Sequence, residues 1–543
     1  MSKIVRGTML LTGAIFLSKF LGMIYVIPFK SLVGNAGGML FNAAYTPYNI
    51  FLSISTVGVP LAVSKFVSKY NSLGDYRTGL RMFRAGMVLM FVMGFLSFLV
   101  MFFSAEWLAG IFITSDNAKL VTVEDMTVVI RLVSFALLII PAMSIVRGFF
   151  QGYESMGPTA VSQVIEQIVR IAFILGGSFV ILYIFNGTVV SAVGFSTFSA
   201  FIGAVASGIV LFVYWQKRKS NIKQRIDQQE ASVQVPLTHL FKELFRYAGP
   251  FVIVGLATSL YQLVDLATFE RAMVQAGFSE EARVTGYAAF NFYAHKLVII
   301  PGTLATGLSL AILPALTSSF AKRQRTELIN QMNQSLQIIL VIVIPAAFGL
   351  SILADVAYGS LYGMDGYELA ISVPILRLYA PVGLFFALFT VTASILQGIN
   401  EQRFTVISLA AGLLIKILFN IPLIHAFGTE GAVIATGLAV GTAVVLNLWR
   451  IKIAIQFDYK QTIKRGALVC IFVLFMFITI LIVKGILGTF LDYDTSRFAA
   501  ILTLICCVTI GGGVYLWFGY YSTLLERTLG NRIRVLDKFF KRR

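Results

Sequence analysis

The chain has 543 residues, 58% of them hydrophobic and 13% charged, with a formal net charge of +18 and a mean hydropathy of +0.85. An ordinary soluble domain is about 25% charged, so this composition excludes a soluble globular enzyme. Length is better counted in membrane spans of about 20 residues plus loops, and about fourteen fit. The three cysteines, Cys470, Cys506 and Cys507, lie in apolar runs and supply neither a disulfide framework nor a Cys-rich metal site.

In chain order, apolar stretches long enough to cross a bilayer run over 7–31, 39–64, 82–104, 127–150, 158–185, 190–215, 246–269, 285–318, 330–353, 371–396, 404–427, 430–449, 466–490 and 497–521. Their lengths predict helices, because in lipid only a helix satisfies all its backbone groups within one segment. The expected class is an all-α polytopic membrane protein of about fourteen transmembrane helices. The first stretch follows Lys3 and Arg6, is too long for a signal-peptide core and carries Lys19 in its middle, so it is expected to be retained.

With the N-terminus placed in the cytoplasm, the basic clusters sort by side. Lys65 to Arg84, Lys217 to Arg225, Lys322 to Arg325, Arg450 to Arg465 and the tail Arg527 to Arg543 all fall inside. About 31 of the 43 Lys and Arg are then cytoplasmic, about 6 external and about 6 within spans, which predicts that both termini are cytoplasmic. Attraction to anionic membrane lipids accounts for the net charge, and no nucleic-acid partner is expected, since no folded domain carries a reading helix. The tail from Leu524 is expected to form a basic amphipathic helix on the inner leaflet.

Sliding the chain against itself by 246 residues lays the stretch from Arg131 on the stretch from Arg377. Gln151-Gly152 meets Gln397-Gly398, Ser162 meets Ser408, and Arg170 meets Lys416. With slightly different offsets, Val59-Pro60-Leu61 meets Leu313-Pro314-Ala315. Two six-helix halves follow; six being even, they are parallel repeats, an arrangement of transporters with the substrate site between the repeats. The expected organisation is an N-lobe over 1–215, a cytoplasmic linker over 216–245, a C-lobe over 246–456, two extra helices over 457–523 and a basic tail over 524–543.

Ionisable groups inside spans are costly and mark function by default. They are Lys19, Arg131, Glu166, Arg170, Asp265, Lys296, Arg377 and Lys416, with His295 and His425 beside them. Six cations against two anions favour an anionic guest, and a diphosphate would suit cations on both halves. The expected substrate contacts are Lys19, Lys296, Arg131, Arg377, Arg170 and His295. Each has a plainer reading: Glu166 and Arg170 have i,i+4 spacing and form a self-neutralising pair, or Arg131 and Arg377 snorkel outward. Lys19 and Lys296 are too deep for that. Asp265, Asn420 and Thr436 offer oxygens for Na⁺ or a proton; alternatively Lys416, one turn from Asn420, fills that place and pairs with Asp265.

No G-x-x-x-x-G-K-[ST] loop, H-E-x-x-H or G-x-S-x-G occurs, so neither ATP hydrolysis nor hydrolase chemistry is expected. The two six-helix halves plus two helices resemble the multidrug, oligosaccharidyl-lipid and polysaccharide exporter superfamily. GAIFLSKFLGMIYVIPF, QLVDLAT and YAHKLVIIPGTLATGLSLAILPALTSSFA are similar to its polysaccharide branch of MurJ-like and SpoVB-like lipid II flippases. That resemblance implies two lobes opening alternately to each side around a cationic cavity, with basic positions at Lys19 and Lys296. It also marks departures: Tyr25 stands where a second arginine is common, and Phe41 or Asn42 where an acid is. The family's sodium site maps to Asp265, Asn420 and Thr436, with Lys416 in place of a neutral ligand.

The implied function is a flippase for a lipid-linked diphosphate sugar, lipid II first, in a bacterial plasma membrane, with no cofactor. Na⁺, H⁺ or membrane potential alone would drive it. The alternatives are another undecaprenyl-diphosphate oligosaccharide, a cation-coupled drug exporter, which would need acids in the cavity, and a non-transporting scaffold. A monomer is expected to suffice, and cell-wall synthesis machinery is a candidate partner.

Overall fold

The computed structural model describes residues 3–56, 59–113, 120–229 and 236–529, and among them it contains helices and turns but no strand. Two compact units divide the chain, Met1–Glu270 and Arg271–Arg543.

The first unit runs through α1 (Lys3–Ile24), α2 (Val26–Thr56), α3 (Val59–Ser72), α4 (Tyr76–Phe103), α5 (Ala105–Phe112), α6 (Val123–Ser134), α7 (Ile140–Gly152), α8 (Gly157–Phe179) and α9 (Val189–Asp227). Then comes α10 (Leu237–Gln275), whose end lies past the division. In the second unit follow α11 (Glu280–Ala288), α12 (His295–Ala321), α13 (Arg325–Ile352), α14 (Ala354–Tyr362), α15 (Gly366–Tyr379), α16 (Val382–Gly398), α17 (Gln402–Phe427) and α18 (Thr429–Ile455). The chain continues through α19 (Lys460–Gly488), α20 (Arg497–Tyr521) and the short α21 (Leu524–Leu529).

Each apolar stretch read from the sequence is predominantly helical among its described residues. Ten helices or helix runs among the described residues are long and apolar enough to cross a membrane, and α1 with α2 adds one bent pair. This is a multi-pass membrane protein. Large apolar side chains such as Phe91, Phe95 and Leu96 on α4, and Leu474, Ile478 and Ile482 on α19, are exposed; patches of this kind need lipid rather than water as solvent.

Prolines place the breaks. Helix α1 ends at Ile24, the residue whose carbonyl the ring of Pro28 would strike four positions on, and the helix pair bends by 41°. A 3-10 turn, Phe135–Leu138, separates α6 from α7, which carries Pro141 in its first turn, and Pro381 separates α15 from α16. Phe135 and Pro381 are the same position under the 246-residue shift, so both repeats break one span at one place.

Packing explains the repeated Gln-Gly. A Cβ on Gly152 would lie 2.8 Å from the Ser64 carbonyl oxygen of α3, and one on Gly398 would lie 2.8 Å from Leu316 Cβ of α12. Two residues beyond each glycine, Glu154 and Asn400 both take positive φ, 57° and 63°, the left-handed turn that ends a helix.

The halves differ at their last helix. Helix α18 stops at Ile455, with Gln456 at φ 52°, whereas α9 runs on to Asp227. The polar stretch from 216, expected as a linker, is therefore helical over its first dozen residues; 230–235 lie outside the described residues. The end of this helix is tied down: Gln229 donates to Asp75 Oδ1 at 2.8 Å and accepts from the Arg77 amide at 3.0 Å, and Arg218 donates to Ser155.

Helices α19 and α20 dock on α13 with an apolar core around Val341, Ile344, Val469, Phe472 and Met476. Thr462 donates to Asn333 at 2.9 Å, Tyr515 to the Val341 carbonyl at 2.7 Å, and Arg465 to Gln337. Of the expected amphipathic tail, α21 is described and 530–543 lie outside the described residues.

Candidate functional site

In the first unit Lys19 is exposed on α1, six residues before the break at Tyr25. Gly22 lets α1 lie close on α8, since a Cβ there would approach Gln167 Nε2 to 2.9 Å. Lys19 is thus carried on a helix packed against the one that bears Arg170.

Arg170 is held by aromatic groups. Its Nη2 donates to the Tyr45 hydroxyl at 2.8 Å, and the guanidinium carbon lies 5.2 Å from the Tyr45 ring centroid. Tyr45 stacks on Phe41 at 4.5 Å, Phe41 meets Phe29 at 5.1 Å, and Phe29 meets Tyr25 at 6.2 Å. Tyr25, one marked departure, and Phe41, which with Asn42 is the alternative for the other, are thus links in one aromatic chain leading to Arg170, where cation–π attraction and a phenol hold the cation without cancelling it.

The expected Glu166–Arg170 pair is not made. Glu166 Oε2 accepts from Arg147 Nη2 at 2.7 Å, while Arg147 also donates to Ser162 Oγ at 3.0 Å and Ser207 Oγ at 2.7 Å. A helical i,i+4 contact is worth only about 0.2–0.5 kcal/mol. A guanidinium reaching across from α7, with two serine acceptors to complete its hydrogen bonding, competes with it successfully. Arg147 was absent from the sequence tally of charges within spans although it lies in the fourth; its spacing to Glu166 across a turn carries no local periodic signal.

Arg131, at the end of α6, packs its guanidinium carbon 5.5 Å from the Phe102 ring centroid. It is half-buried, and its Nε is without a hydrogen-bond partner. Asp265 is buried on α10.

In the second unit Lys296 follows the π-helical turn Ala289–Ala294, is half-buried, and holds its ammonium 5.9 Å from the Phe292 ring centroid. His295, next to it, is buried and shares a 2.8 Å hydrogen bond between Nδ1 and the Tyr379 hydroxyl, with its ring stacked on Tyr379 and edged by Phe386. Consecutive helical residues point about 100° apart, so His295 faces the α15–α16 packing. Arg377 is exposed at the end of α15, and its backbone carbonyl accepts from Ser351 at 2.7 Å.

Lys416 is fully buried: its ammonium donates to Thr436 Oγ1 at 2.6 Å and to the Ala432 carbonyl at 3.0 Å, and it lies 5.7 Å from the Phe290 ring centroid. Asn420 is buried one turn further along α17. Of the four residues read as an ion-coupling set, the second unit brings Lys416 and Thr436 into contact. A second cation missed in the sequence tally, Lys484, pairs with Asp355 at the start of α14 and ties α19 there.

Comparison with known proteins places these residues in context. The family model described as Polysaccharide biosynthesis protein matches residues 4–320, and that of MatE matches 283–421. The lipid II flippase MurJ of Bacillus subtilis (strain 168) is 43% identical over 541 residues, covering 100% of this chain and 99% of that protein. The uncharacterized membrane protein YabM of the same organism is 25% identical, covering 94% of this chain and 91% of that one. Among solved structures, a lipid II flippase MurJ in an inward closed conformation aligns with a TM-score of 0.66 over 96% of this chain and 99% of its own, at 18% identity, a likeness of fold.

Proposed function

The chain belongs to the polysaccharide biosynthesis protein family and stands with MurJ-like flippases in it, and from that premise we propose that it moves lipid II across the bacterial plasma membrane, both its own termini being cytoplasmic. The observation that carries the reading is the state of the membrane-embedded cations. Lys19 and Lys296 lie at mid-span on exposed or half-buried positions, and Arg170 is held by a phenol rather than a carboxylate. A guanidinium in the membrane held by a phenol rather than a carboxylate keeps a charge that is expensive in lipid, and a diphosphate head is a guest that offsets it. Arg131 and Arg377 supply further positive charge in each unit. The polyprenyl tail stays in lipid, no bond is made or broken, and the binding free energy goes to desolvating the head. Anionic lipids around the basic loops and cell-wall synthesis enzymes are the partners this role implies, and a monomer suffices for it.

No sodium step is built on Asp265, Asn420 and Thr436. A sodium ion at Thr436 Oγ1 and the Ala432 carbonyl would meet the Lys416 ammonium at hydrogen-bonding distance from the same oxygens, so these residues do not fit it. We read Lys416 as a resident cation in its place and membrane potential as the drive, at about 2.3 kcal/mol per charge per 100 mV.

The test is translocation of fluorescent lipid II in proteoliposomes. Flipping by the native chain is expected to rise with imposed potential, to be unchanged when Na⁺ is replaced by K⁺, and to be lost in Lys19→Ala/Lys296→Ala. Flipping by the double variant would place the site on other residues. If neither protein flips lipid II, another undecaprenyl-diphosphate oligosaccharide becomes the substrate to try.

A further inference from the structure

Glu166 and Arg170 are one turn apart on α8, with the acid on the N-terminal side, the order in which such pairs form most readily. Arg147 prevents it. Three hydrogen bonds fix Arg147: to Glu166 at 2.7 Å, to Ser162 at 3.0 Å and to Ser207 at 2.7 Å. It is 13% exposed at the side chain against 19% for Glu166, so the pair is largely withdrawn from solvent. Two guanidiniums and one carboxylate share this packet of α7, α8 and α9, and the carboxylate goes to the one that contacts all three helices. What remains is a net positive charge located on Arg170.

Arg170 is set up to use that charge. One of its five N–H groups meets the Tyr45 hydroxyl, and Nε has no partner. A neutral phenol leaves the charge intact, and the remaining donors of the fork match two oxygens of a phosphate.

We propose that Arg147 is a positioning residue: by holding Glu166 it keeps Arg170 from pairing with that carboxylate and so available to the diphosphate of the substrate. The inference rests on the reading of Arg170 as a diphosphate contact. With Arg147 removed, the Glu166 carboxylate turns along α8 to Arg170 and cancels it, so a residue without contact to the substrate controls the charge offered to it.

The experiment is binding of inorganic pyrophosphate to the purified full chain by calorimetry, with thermal unfolding measured on every variant and lipid II flipping measured on the native protein. Arg147→Gln is expected to weaken pyrophosphate binding roughly tenfold, and Arg147→Gln/Glu166→Gln to recover it to within about twofold. In an Arg170→Gln background the Arg147→Gln change is expected to cost nothing further. Should Arg147→Gln fail to fold, Ser207→Ala loosens Arg147 without removing a charge; a loss of about twofold that vanishes in the Arg170→Gln background gives the same support.

Losses that track unfolding temperature, or that add to those of Arg170→Gln, would make Arg147 a purely structural tie and overturn the proposal. Native pyrophosphate binding by Arg170→Gln overturns it at its premise, and lipid II flipping by the native chain would then still support the transport reading. Conversely, the expected pattern with pyrophosphate together with no flipping of lipid II retires that substrate and leaves the role of Arg147 supported.

Discussion

Ser162 and Ser408, equivalent in the two repeats, sit at the centre of polar hubs of opposite kind. In the first unit Ser162 accepts from Arg147, which also binds Glu166 and Ser207. In the second, Ser408 donates to Asn447 at 2.6 Å and Asn447 donates to Thr392 at 3.1 Å, a hub without charge. Ser207 and Asn447 lie equally far from the starts of α9 and α18, while Ala393 and Gly412 stand where Arg147 and Glu166 would be. One backbone plan thus tolerates an ion pair in one copy and a neutral amide in the other. The difference teaches that the hub's structural task, joining three helices, is met without charge, so the charge in the first copy calls for a separate explanation.

The largest effect that would sharpen this contrast is Glu166→Ala, which leaves Arg147 buried without its acid; about 3 kcal/mol of destabilisation is expected, read as a fall in unfolding temperature in detergent. A loss no greater than that of the neutral hub would break the comparison. Next are the duplicated glycines. Gly152→Ala drives a methyl against the Ser64 carbonyl and Gly398→Ala drives one against Leu316 Cβ, an atom that moves only with its backbone, so each is expected to cost about 2 kcal/mol; a clearly smaller loss at one of them would mean that its helix crossing yields and the two are not equivalent. Smallest is Asn447→Ala, at about 1 kcal/mol by the same unfolding measurement, because a hydroxyl and a threonine lose one neutral partner and no charge is stranded.

Of the candidate site, the sequence made legible the depth of its cations in the membrane. Lys19 and Lys296 stood out because each is far from its span end. The pairing of Glu166 was misread because i,i+4 spacing is visible along one helix, while its actual partner comes from the helix before. His295 was grouped with Lys296 by adjacency, and helical rotation sends it instead into packing with Tyr379.

By itself the sequence determined the membrane class, the helical state of each apolar stretch and the duplication, because hydrophobic length, backbone self-satisfaction in lipid and repeat are properties of neighbouring residues. Only the tertiary structure decided which partners each buried cation takes. That depends on how α7, α8 and α9 cross in the first unit and α17 and α18 in the second, and ion pairing over a few ångströms follows those crossings rather than spacing along the chain.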